Sequence, residues 1–392
     1  MVTPTASRTI SIQPTEEGYI GRIPVRNIWL LMLYASDLFR QIGGRKIDVE
    51  ENPDDIPDLV AEILTRVVER RLIRSLSFGY QVRDAVLSRV RGRINLLRTE
   101  RHQLLELGRI SCRFMELTVD TTRNRFVRAA LDEIATIVCR PGLAHRCRSL
   151  SASLRRIGVI GEKPSRTEVS MDRFGRHDAD DLQMMAAANL AFNLALPTEA
   201  AGEKHLSVPE REITWFRHLY EKAVAGFYNV VLAGAGWHIY AGRRMDWRIE
   251  SRTPGIDKIL PSMRTDIVMD HRNSVRRIIV DTKFTSIVTR GWHREESLRS
   301  GYMYQIYAYL RSQEGNGDPI SNHASGLLLH PSIDEEVVDE AAVIQGHEIR
   351  FATVDLRAQS HQIRKRLLQV VGVSEYNVGD DMLGLLQSVN LP

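Results

Sequence analysis

Residues 261–284 have the sequence PSMRTDIVMDHRNSVRRIIVDTKF. It contains two short apolar runs, residues 267–269 and 277–280, on either side of the polar segment 270–274. Two β-rich runs around a polar turn predict an antiparallel hairpin. Asp266 opens the first predicted strand and Asp281 ends the second, so the hairpin is expected to bring the two carboxylates together.

The predicted hairpin also places Lys283 beside these carboxylates. Side chains alternate along a strand, so Asp281 and Lys283 are expected to share one face while Thr282 points away. Two carboxylates can hold Mg²⁺, which activates water and stabilises phosphate charge, and Thr282 can add its backbone carbonyl as a ligand. The ammonium can position or deprotonate the attacking water. The pattern predicts a metal-dependent nuclease centre, although a cross-strand ion pair at a sheet edge gives the same spacing.

Composition limits the other classes of protein. The chain has 392 residues, 43% of them hydrophobic and 26% charged, which predicts a protein of two or three domains with substantial cores. No apolar run is long enough for a membrane span, and the N-terminus lacks an apolar signal core. Three cysteines without CxxC spacing indicate a reducing compartment, which favours the cytoplasm and excludes a disulfide framework or a zinc site.

The arginines are concentrated in the first 160 residues, although the net charge is only +4. Solvated helix faces paired with glutamate are one interpretation of these clusters, and contacts to nucleic-acid phosphates are the other. The clustered arginines are Arg66, Arg70, Arg71, Arg74, Arg89, Arg91, Arg93, Arg123, Arg125, Arg128, Arg146, Arg148, Arg155 and Arg156.

Hydrophobic periodicity predicts an α/β protein with two domains. Residues 1–205 read as an α+β N-terminal domain that includes a helix over 24–39. Residues 206–392 read as helices around a central mixed sheet, with a strand at 247–250 and a helix over 295–311. A helix carrying Glu221 comes before the hairpin in the sequence, and the 295–311 helix carries Gln305 and Tyr309 after it.

These residues form a pattern that resembles a known superfamily. Asp266, the run from Asp281 to Lys283 and the pair Gln305 and Tyr309 are similar to PD-(D/E)xK nuclease motifs followed by a Q-x-x-x-Y helix. Within that superfamily the chain resembles the McrC family, the nuclease subunits of McrBC-type, modification-dependent (type IV) restriction systems. Further similarity lies in residues 23–39, 90–94, 120–125 and 219–222. One departure is Thr265, where the superfamily motif has proline.

The resemblance implies a fold, an activity and a partner. The N-terminal domain would dock on a hexameric McrB-like AAA+ GTPase and stimulate its hydrolysis, and the C-terminal domain would be a restriction-endonuclease-like domain that cuts double-stranded, possibly methylated DNA. Asp266 and Asp281 would bind Mg²⁺, and Lys283 would act on water. Glu221 would add a carboxylate at or behind the metal site, while Gln305 and Tyr309 would support the site or contact the DNA backbone.

Two other functions remain open from the sequence. The Q-x-x-x-Y helix also resembles stand-alone DNA repair or recombination nucleases. A nuclease-fold regulator that only activates a partner NTPase would carry the same docking motifs. The chain has no G-x-x-x-x-G-K-[ST] loop, so any motor must be a separate polypeptide.

Overall fold

A computed structural model describes most of the chain and divides it into two compact units. The terminal unit contains residues 1–56 and 196–392, and the inserted unit contains residues 57–195. The described residues are 14–15, 19–20, 23–42, 56–174, 179–202, 209–271, 273–284, 288–289, 297–298, 300–315, 317–332 and 337–373.

This division differs from the predicted boundary at residue 205, because the N-terminal segment belongs to the same compact unit as the C-terminal residues. The side-chain amide of Asn27 donates hydrogen bonds to the carbonyls of Leu356 and Ala358, at 2.7 and 3.0 Å. A contact between residues more than 300 positions apart leaves no local pattern in the sequence. The docking and cleavage roles predicted for the two domains remain predictions.

The terminal unit alternates helices and strands. Its helices are α1 (Val25–Tyr34), α2 (Asp37–Ile42), α9 (Pro209–Val231), α10 (Ser300–Ser312), α11 (Pro319–Asn322) and α12 (Ser360–Val370). Its short strands are β1 (Pro14–Thr15), β2 (Tyr19–Ile20), β3 (Ile23–Pro24), β8 (Arg244–Met245), β9 (Met263–Arg264), β12 (Val288–Thr289) and β13 (Ser297–Leu298). Its longer strands are β7 (Trp237–Ala241), β10 (Ile267–His271), β11 (Arg276–Thr282), β14 (Ser325–Ser332), β15 (Asp339–Ile344) and β16 (His347–Asp355).

The longer strands form one mixed sheet in the order β15-β16-β14-β11-β10-β7. The pairs β10–β11, β7–β10 and β15–β16 are antiparallel, whereas β11–β14 and β14–β16 are parallel. Helix α9 contacts β7, α10 contacts β11 and β14, and α12 contacts β16. The α/β fold with a central mixed sheet and flanking helices is therefore confirmed, as is the hairpin at its centre.

The core of this unit explains why the central strands read as continuous apolar runs. Val268, Ile279 and Leu328 from three adjacent strands are buried against Ile306 of α10. A strand covered on both faces needs apolar residues at consecutive positions, as β11 and β14 have. Polar side chains are consequently confined to the strand ends, where the candidate site lies.

Close helix packing fixes α1 against α9. A Cβ added to Gly226 of α9 would lie 2.0 Å from the carbonyl oxygen of Tyr34, so only glycine allows the two helices to approach this closely. Phe227 and Tyr228 beside it are fully buried. The N-terminal helix is thus part of the core of the terminal unit.

The inserted unit combines helices with a small sheet of order β4-β6-β5. Its elements are α3 (Ile56–Arg74), β4 (Gly79–Leu87), β5 (Arg93–Ile94), α4 (Leu96–Arg101), β6 (Ile110–Thr118), α5 (Thr122–Ile137), α6 (Pro141–Ile157) and α7 (Arg166–Met171). Helix α8 (Ala179–Gly202) continues past its boundary at residue 195. Helix α5 is capped by the Thr121 hydroxyl, which accepts from the amide of Asn124.

Several of the clustered arginines of the inserted unit form ion pairs with acidic side chains, as one interpretation of the sequence predicts. The pair Arg66–Glu62 has an N···O distance of 2.8 Å and Arg155–Asp132 one of 2.7 Å. These partners account for part of the basic excess in this half of the chain. The alternative, contacts to phosphate, stays a prediction for the others.

Three sequence expectations need correction. Residues 247–250 are not a strand, although Trp247 and Ile249 alternate with polar residues, because both side chains are partly exposed and the segment forms no ladder. The helix predicted over 295–311 begins at Ser300. The helix predicted over 24–39 is two helices, since the hydroxyl of Ser36 accepts from the amide of Phe39 and starts α2. None of the helices in the described ranges is both long and apolar enough to cross a membrane.

Candidate metal centre

The hairpin brings the two predicted carboxylates to one end of the sheet. Ile267 pairs with Val280 in the antiparallel ladder, so Asp266 and Asp281 follow as the next opposed positions. Asp266 is partly buried and the Asp281 side chain is almost completely buried. The structure therefore brings Asp266, Asp281 and Lys283 together as predicted.

Thr282 holds the Asp266 carboxylate. Its backbone amide donates to Oδ2 of Asp266 at 2.7 Å, and its hydroxyl donates to the same oxygen at 2.9 Å. The expectation that the Thr282 side chain points away from the carboxylates is therefore wrong for Asp266. The hydrogen bond explains the difference, because it satisfies a buried hydroxyl at the end of the strand. The predicted metal contact of the Thr282 carbonyl stays a prediction.

Asp281 is a buried carboxylate whose charge is only partly compensated. Lys283 Nζ lies 2.8 Å from its Oδ2, but among the described residues neither carboxylate oxygen accepts a hydrogen bond of good geometry. The pKa of Asp281 is raised to about 6, mainly by burial; Lys283 lowers it, while the charges of Asp266 and Glu221 add to the rise. A carboxylate in this state is ready to accept a cation.

Lys283 has a second contact besides the carboxylate. Its Nζ lies 5.2 Å from the centre of the Tyr302 ring on α10, within the range of a cation–π interaction. The ring of buried His330 lies 5.9 Å from that of Tyr302. The ammonium is thus held between Asp281 and an aromatic face, with 18% of its side chain accessible.

Glu221 belongs to the same electrostatic cluster. Burial raises its pKa first, and the neighbouring charge of Asp266 raises it further, while His218 and Arg264 lower it. Helix α9 is fixed here by aromatic packing: Phe284 stacks on Phe216 with ring centres 5.8 Å apart and meets Tyr220 at 6.0 Å. Since Phe284 follows Lys283 in the chain, this packing keeps the helix with Glu221 next to the end of β11.

Gln305 and Tyr309 act on the site through one hydrogen-bond chain. The Gln305 amide donates to the Tyr309 hydroxyl at 2.6 Å, and that hydroxyl donates to the carbonyl of Arg264 at 2.8 Å. Tyr309 is buried, so it belongs to the core and also supports the strand that leads to Asp266. The two residues therefore fix the backbone at Arg264, two residues before Asp266.

The residues present fit a magnesium site of two carboxylates. Burial, and to a lesser degree repulsion between carboxylates, raises the pKa of Asp281 and Glu221, and a bound cation would stabilise their charged forms. Oδ1 of Asp281 has no hydrogen-bond partner in the described structure. Mg²⁺ commonly takes one or two protein carboxylates and keeps several waters. In the described ranges no group of three or more His, Cys, Asp and Glu side chains is arranged to hold a metal ion, which excludes an all-protein cage there.

The comparison with known families concerns a different part of the chain. Residues 2–208 match the model of the family described as McrBC 5-methylcytosine restriction system component, and this range is more than half of the chain. The chain belongs to this family. The predicted resemblance to McrC is confirmed. The matched residues end before Glu221, so the family match and the geometry of the carboxylate cluster are independent findings.

One curated protein and one solved structure are similar to this McrBC-family chain. It is 26% identical over 354 residues to the type IV methyl-directed restriction enzyme EcoKMcrBC of Escherichia coli (strain K12), covering 89% of this chain and 97% of that protein. A solved half-complex from a tetradecameric assembly of Thermococcus gammatolerans McrB AAA+ hexamers with bound McrC is similar at a TM-score of 0.40 and 15% identity. That similarity covers 88% of this chain and 76% of the solved one.

Sequence reasoning missed two contributions to the site of this McrBC-family chain. The first is Arg264. Its carbonyl accepts a hydrogen bond from the Tyr309 hydroxyl, and its positive charge lowers the pKa of Glu221. Its position two residues before Asp266 was the available signal. The second is the hydroxyl of Thr282, which strict strand alternation placed elsewhere. Thr265, which stands where the superfamily motif has proline, donates its amide to the Arg243 carbonyl at 3.0 Å, a bond that proline cannot make.

Proposed function

We propose that this chain is the DNA endonuclease subunit of a McrBC-type restriction system and cuts double-stranded DNA with Mg²⁺. The observation that carries the proposal is the buried Asp281, which lies opposite Asp266. Its Oδ1 has no hydrogen-bond partner in the described structure, and its Oδ2 is compensated by the ammonium of Lys283. Membership of the McrBC family and the restriction activity named for the Escherichia coli relative favour restriction over stand-alone repair.

The residues would divide the chemistry of phosphodiester hydrolysis. Asp266 and Asp281 would hold Mg²⁺, which when bound lowers the pKa of water and offsets charge on the phosphate. Thr282 fixes Asp266 for this task through two hydrogen bonds. Lys283, placed by Asp281, would orient or deprotonate the attacking water and stabilise negative charge in the transition state. Glu221 would supply a further carboxylate to the cluster.

The partner in this proposal is a McrB-like AAA+ GTPase whose hydrolysis the chain stimulates. The inserted unit has an exposed apolar sheet face that supports docking: Tyr80 pairs with Leu117 and Val82 with Met115, and all four side chains are more than half exposed. Exposed apolar patches of this kind mark protein interaction sites. Replacing Tyr80 and Leu117 with serine is expected to weaken binding of the AAA+ partner in a pull-down.

Cleavage assays test the nuclease. The purified chain, its AAA+ partner, GTP and Mg²⁺ are incubated with methylated and unmethylated DNA. Asp281→Asn and Lys283→Ala are expected to abolish cleavage, whereas the matched surface variants Asp257→Asn and Lys258→Ala should cut normally. Cleavage that persists in both site variants would reject the proposed centre.

A second assay separates the nuclease from a regulator that only activates a partner NTPase. Asp266→Ala should stop cleavage while leaving stimulation of the partner's GTP hydrolysis unchanged. If the wild-type chain stimulates hydrolysis but never cuts DNA under any divalent cation, the regulator is the correct function.

A further inference from the structure

The backbone pairing that carries Asp266 continues past the central sheet. Ala241 pairs with Ile267 at the end of β7 and β10, and Arg244 pairs with Arg264 in β8 and β9 in the same register. Between them, the amide of Gly242 donates to the carbonyl of Asp266 at 2.7 Å. The pair of arginines is therefore fixed in position relative to the first carboxylate of the site.

The two arginines are an unfavourable pair when nothing is bound. Residues directly opposite in an antiparallel ladder have Cβ atoms roughly 5 Å apart, and like charges in that position repel. Both side chains are exposed, and in the described part of the chain neither forms an ion pair. The next pair, Met245 with Met263, is buried in the core and holds the strands together despite this repulsion.

Two other arginines in the segment between β7 and β10 do form ion pairs. Arg243 lies 3.5 Å from a carboxylate oxygen of Asp270, and Arg252 lies 3.2 Å from one of Asp257. In the described structure Arg244 and Arg264 thus form no ion pair of this kind, and Arg264 only has a longer-range interaction with the carboxylate of Glu221. An anionic ligand would supply the missing charge.

Arg264 is held in one orientation. Its Nε donates to the carbonyl of Gly242 at 3.2 Å, and its own carbonyl receives the Tyr309 hydroxyl. Gly242 has φ +63°, and a Cβ there would lie 2.6 Å from Nη2 of Arg264, so glycine makes room for the guanidinium. Because Nε is hydrogen-bonded to the Gly242 carbonyl, the two Nη groups remain available as paired donors, which suits phosphate oxygens.

We propose that Arg244 and Arg264 form a binding site for a backbone phosphate of DNA beside the carboxylate cluster. The site rests on the proposed nuclease function and gives it a substrate contact. Arg264 is close enough to act electrostatically on Glu221, so a phosphate held there lies next to the residues that would cut. The hydrogen-bond chain from Gln305 through Tyr309 fixes the backbone of Arg264, which would bind the phosphate. Asp266 follows two residues later.

The salt dependence of DNA binding tests this site. The full chain with Asp281→Asn, which blocks cleavage, is titrated onto a random-sequence DNA duplex at several NaCl concentrations. Removing one phosphate contact reduces the slope of log K against log salt by about one. Arg264→Ala and Arg244→Ala should each do so, with Arg264→Lys restoring the slope. Arg252→Ala, which removes another exposed arginine from the segment between β7 and β10, should leave the slope unchanged.

The outcomes distinguish this site from the function on which it rests. An unchanged slope in both Arg264→Ala and Arg244→Ala would overturn the site, as would an equal loss in Arg252→Ala or absence of DNA binding by the background chain. A reduced slope in the two variants, together with no cleavage by the wild-type chain when its AAA+ partner, GTP and Mg²⁺ are present, would support the phosphate site and reject the nuclease. Arg244→Ala removes no hydrogen bond of the described structure and relieves the repulsion with Arg264, so the strand pair is expected to be retained.

Discussion

Thr282 donates two hydrogen bonds to a single oxygen of Asp266, one from its amide at 2.7 Å and one from its hydroxyl at 2.9 Å. The residue between the second carboxylate and the lysine thus orients the first carboxylate. The other oxygen of Asp266 receives neither of these bonds, so under the proposed function it would be the one to bind Mg²⁺. The residue in the middle of the D-x-K motif is therefore a positioning residue in this chain.

Thr282→Val is expected to reduce cleavage roughly tenfold or more, because a hydrogen bond to a charged group is worth about 1.5–3 kcal/mol. The backbone amide still holds Asp266, so activity should not vanish. Single-turnover cleavage with the AAA+ partner measures the loss, and Thr282→Ser, which keeps the hydroxyl, is the control. Equal rates for the valine and serine variants would show that the hydroxyl does not position Asp266.

The raised pKa of Asp281 predicts how stability depends on pH when no metal is bound. In the unfolded chain this carboxyl returns to its ordinary pKa near 4, whereas burial raises the pKa to about 6 in the folded protein. The folded state therefore binds the proton more tightly, and the free energy of unfolding falls as the pH rises from about 4 through about 6. The contribution of this one group is on the order of 2–3 kcal/mol.

Urea unfolding in EDTA at pH 5 and pH 7 measures this effect, with Asp281→Asn as the variant that removes it. The difference between the wild type and the variant is the relevant quantity, because other groups have the opposite sign. The hydrogen bond from Arg146 lowers the pKa of Glu69, for example, so the stability from that pair is lost as the pH falls through the lowered pKa. A wild-type-minus-variant difference that is the same at both pH values would contradict the prediction.

Removing the hydroxyl from each of two buried tyrosines on α9 should have opposite effects on the stability of the protein. The Tyr220 hydroxyl is buried and has no hydrogen-bond partner among the described residues, whereas that of Tyr228 donates to the Leu367 carbonyl at 2.8 Å. Tyr220→Phe should leave stability unchanged or raise it by about 1 kcal/mol, and Tyr228→Phe should lower it by about 1 kcal/mol. Chemical denaturation of the two variants makes the comparison, and a larger loss in Tyr220→Phe would be the contrary result.

Arg277 is a buried charged residue of the central hairpin and is expected to contribute strongly to stability. It is buried, donates from Nε and Nη2 to Asp270 at 2.6 and 2.8 Å, and donates from Nη1 to Asp318 and Ser321. Arg277→Ala leaves Asp270 without these partners and is expected to cost about 3–5 kcal/mol of unfolding free energy. The adjacent Arg276→Ala, measured in the same denaturation experiment, should cost less than about 1 kcal/mol. Similar losses in both would contradict this assignment.

Local patterns predicted the elements of the terminal unit well where burial dominates. The apolar runs before Asp281 and His330 are central strands because both faces of the sheet are covered. The pattern failed at residues 247–250, where alternation arises without a strand partner. It also could not anticipate strands two residues long, since β8 and β9 continue a ladder that began elsewhere and carry no periodic signal of their own.

The sequence predicted which charged residues meet at the candidate site, but not how the neighbouring side chains are oriented. Spacing and hairpin geometry placed Asp266 and Asp281 together, because opposed strand ends must meet. The hydroxyl of Thr282 and the guanidinium of Arg264 depend on hydrogen bonds to Asp266 and Gly242, which no sequence period encodes. Tyr309 shows the limit most clearly, since it is both a core residue and the donor to the Arg264 carbonyl.

The seating of α1 against α9 has a practical consequence for dissecting the protein. A fragment starting at residue 206 has the strands and carboxylates of the candidate site but lacks α1, whose Ile28, Leu31 and Tyr34 are buried. Such a fragment would expose Phe227 and the backbone at Gly226 to water and should aggregate. The compact unit that contains the candidate site is instead residues 1–56 together with 196–392, so a fragment meant to preserve the site has to keep α1.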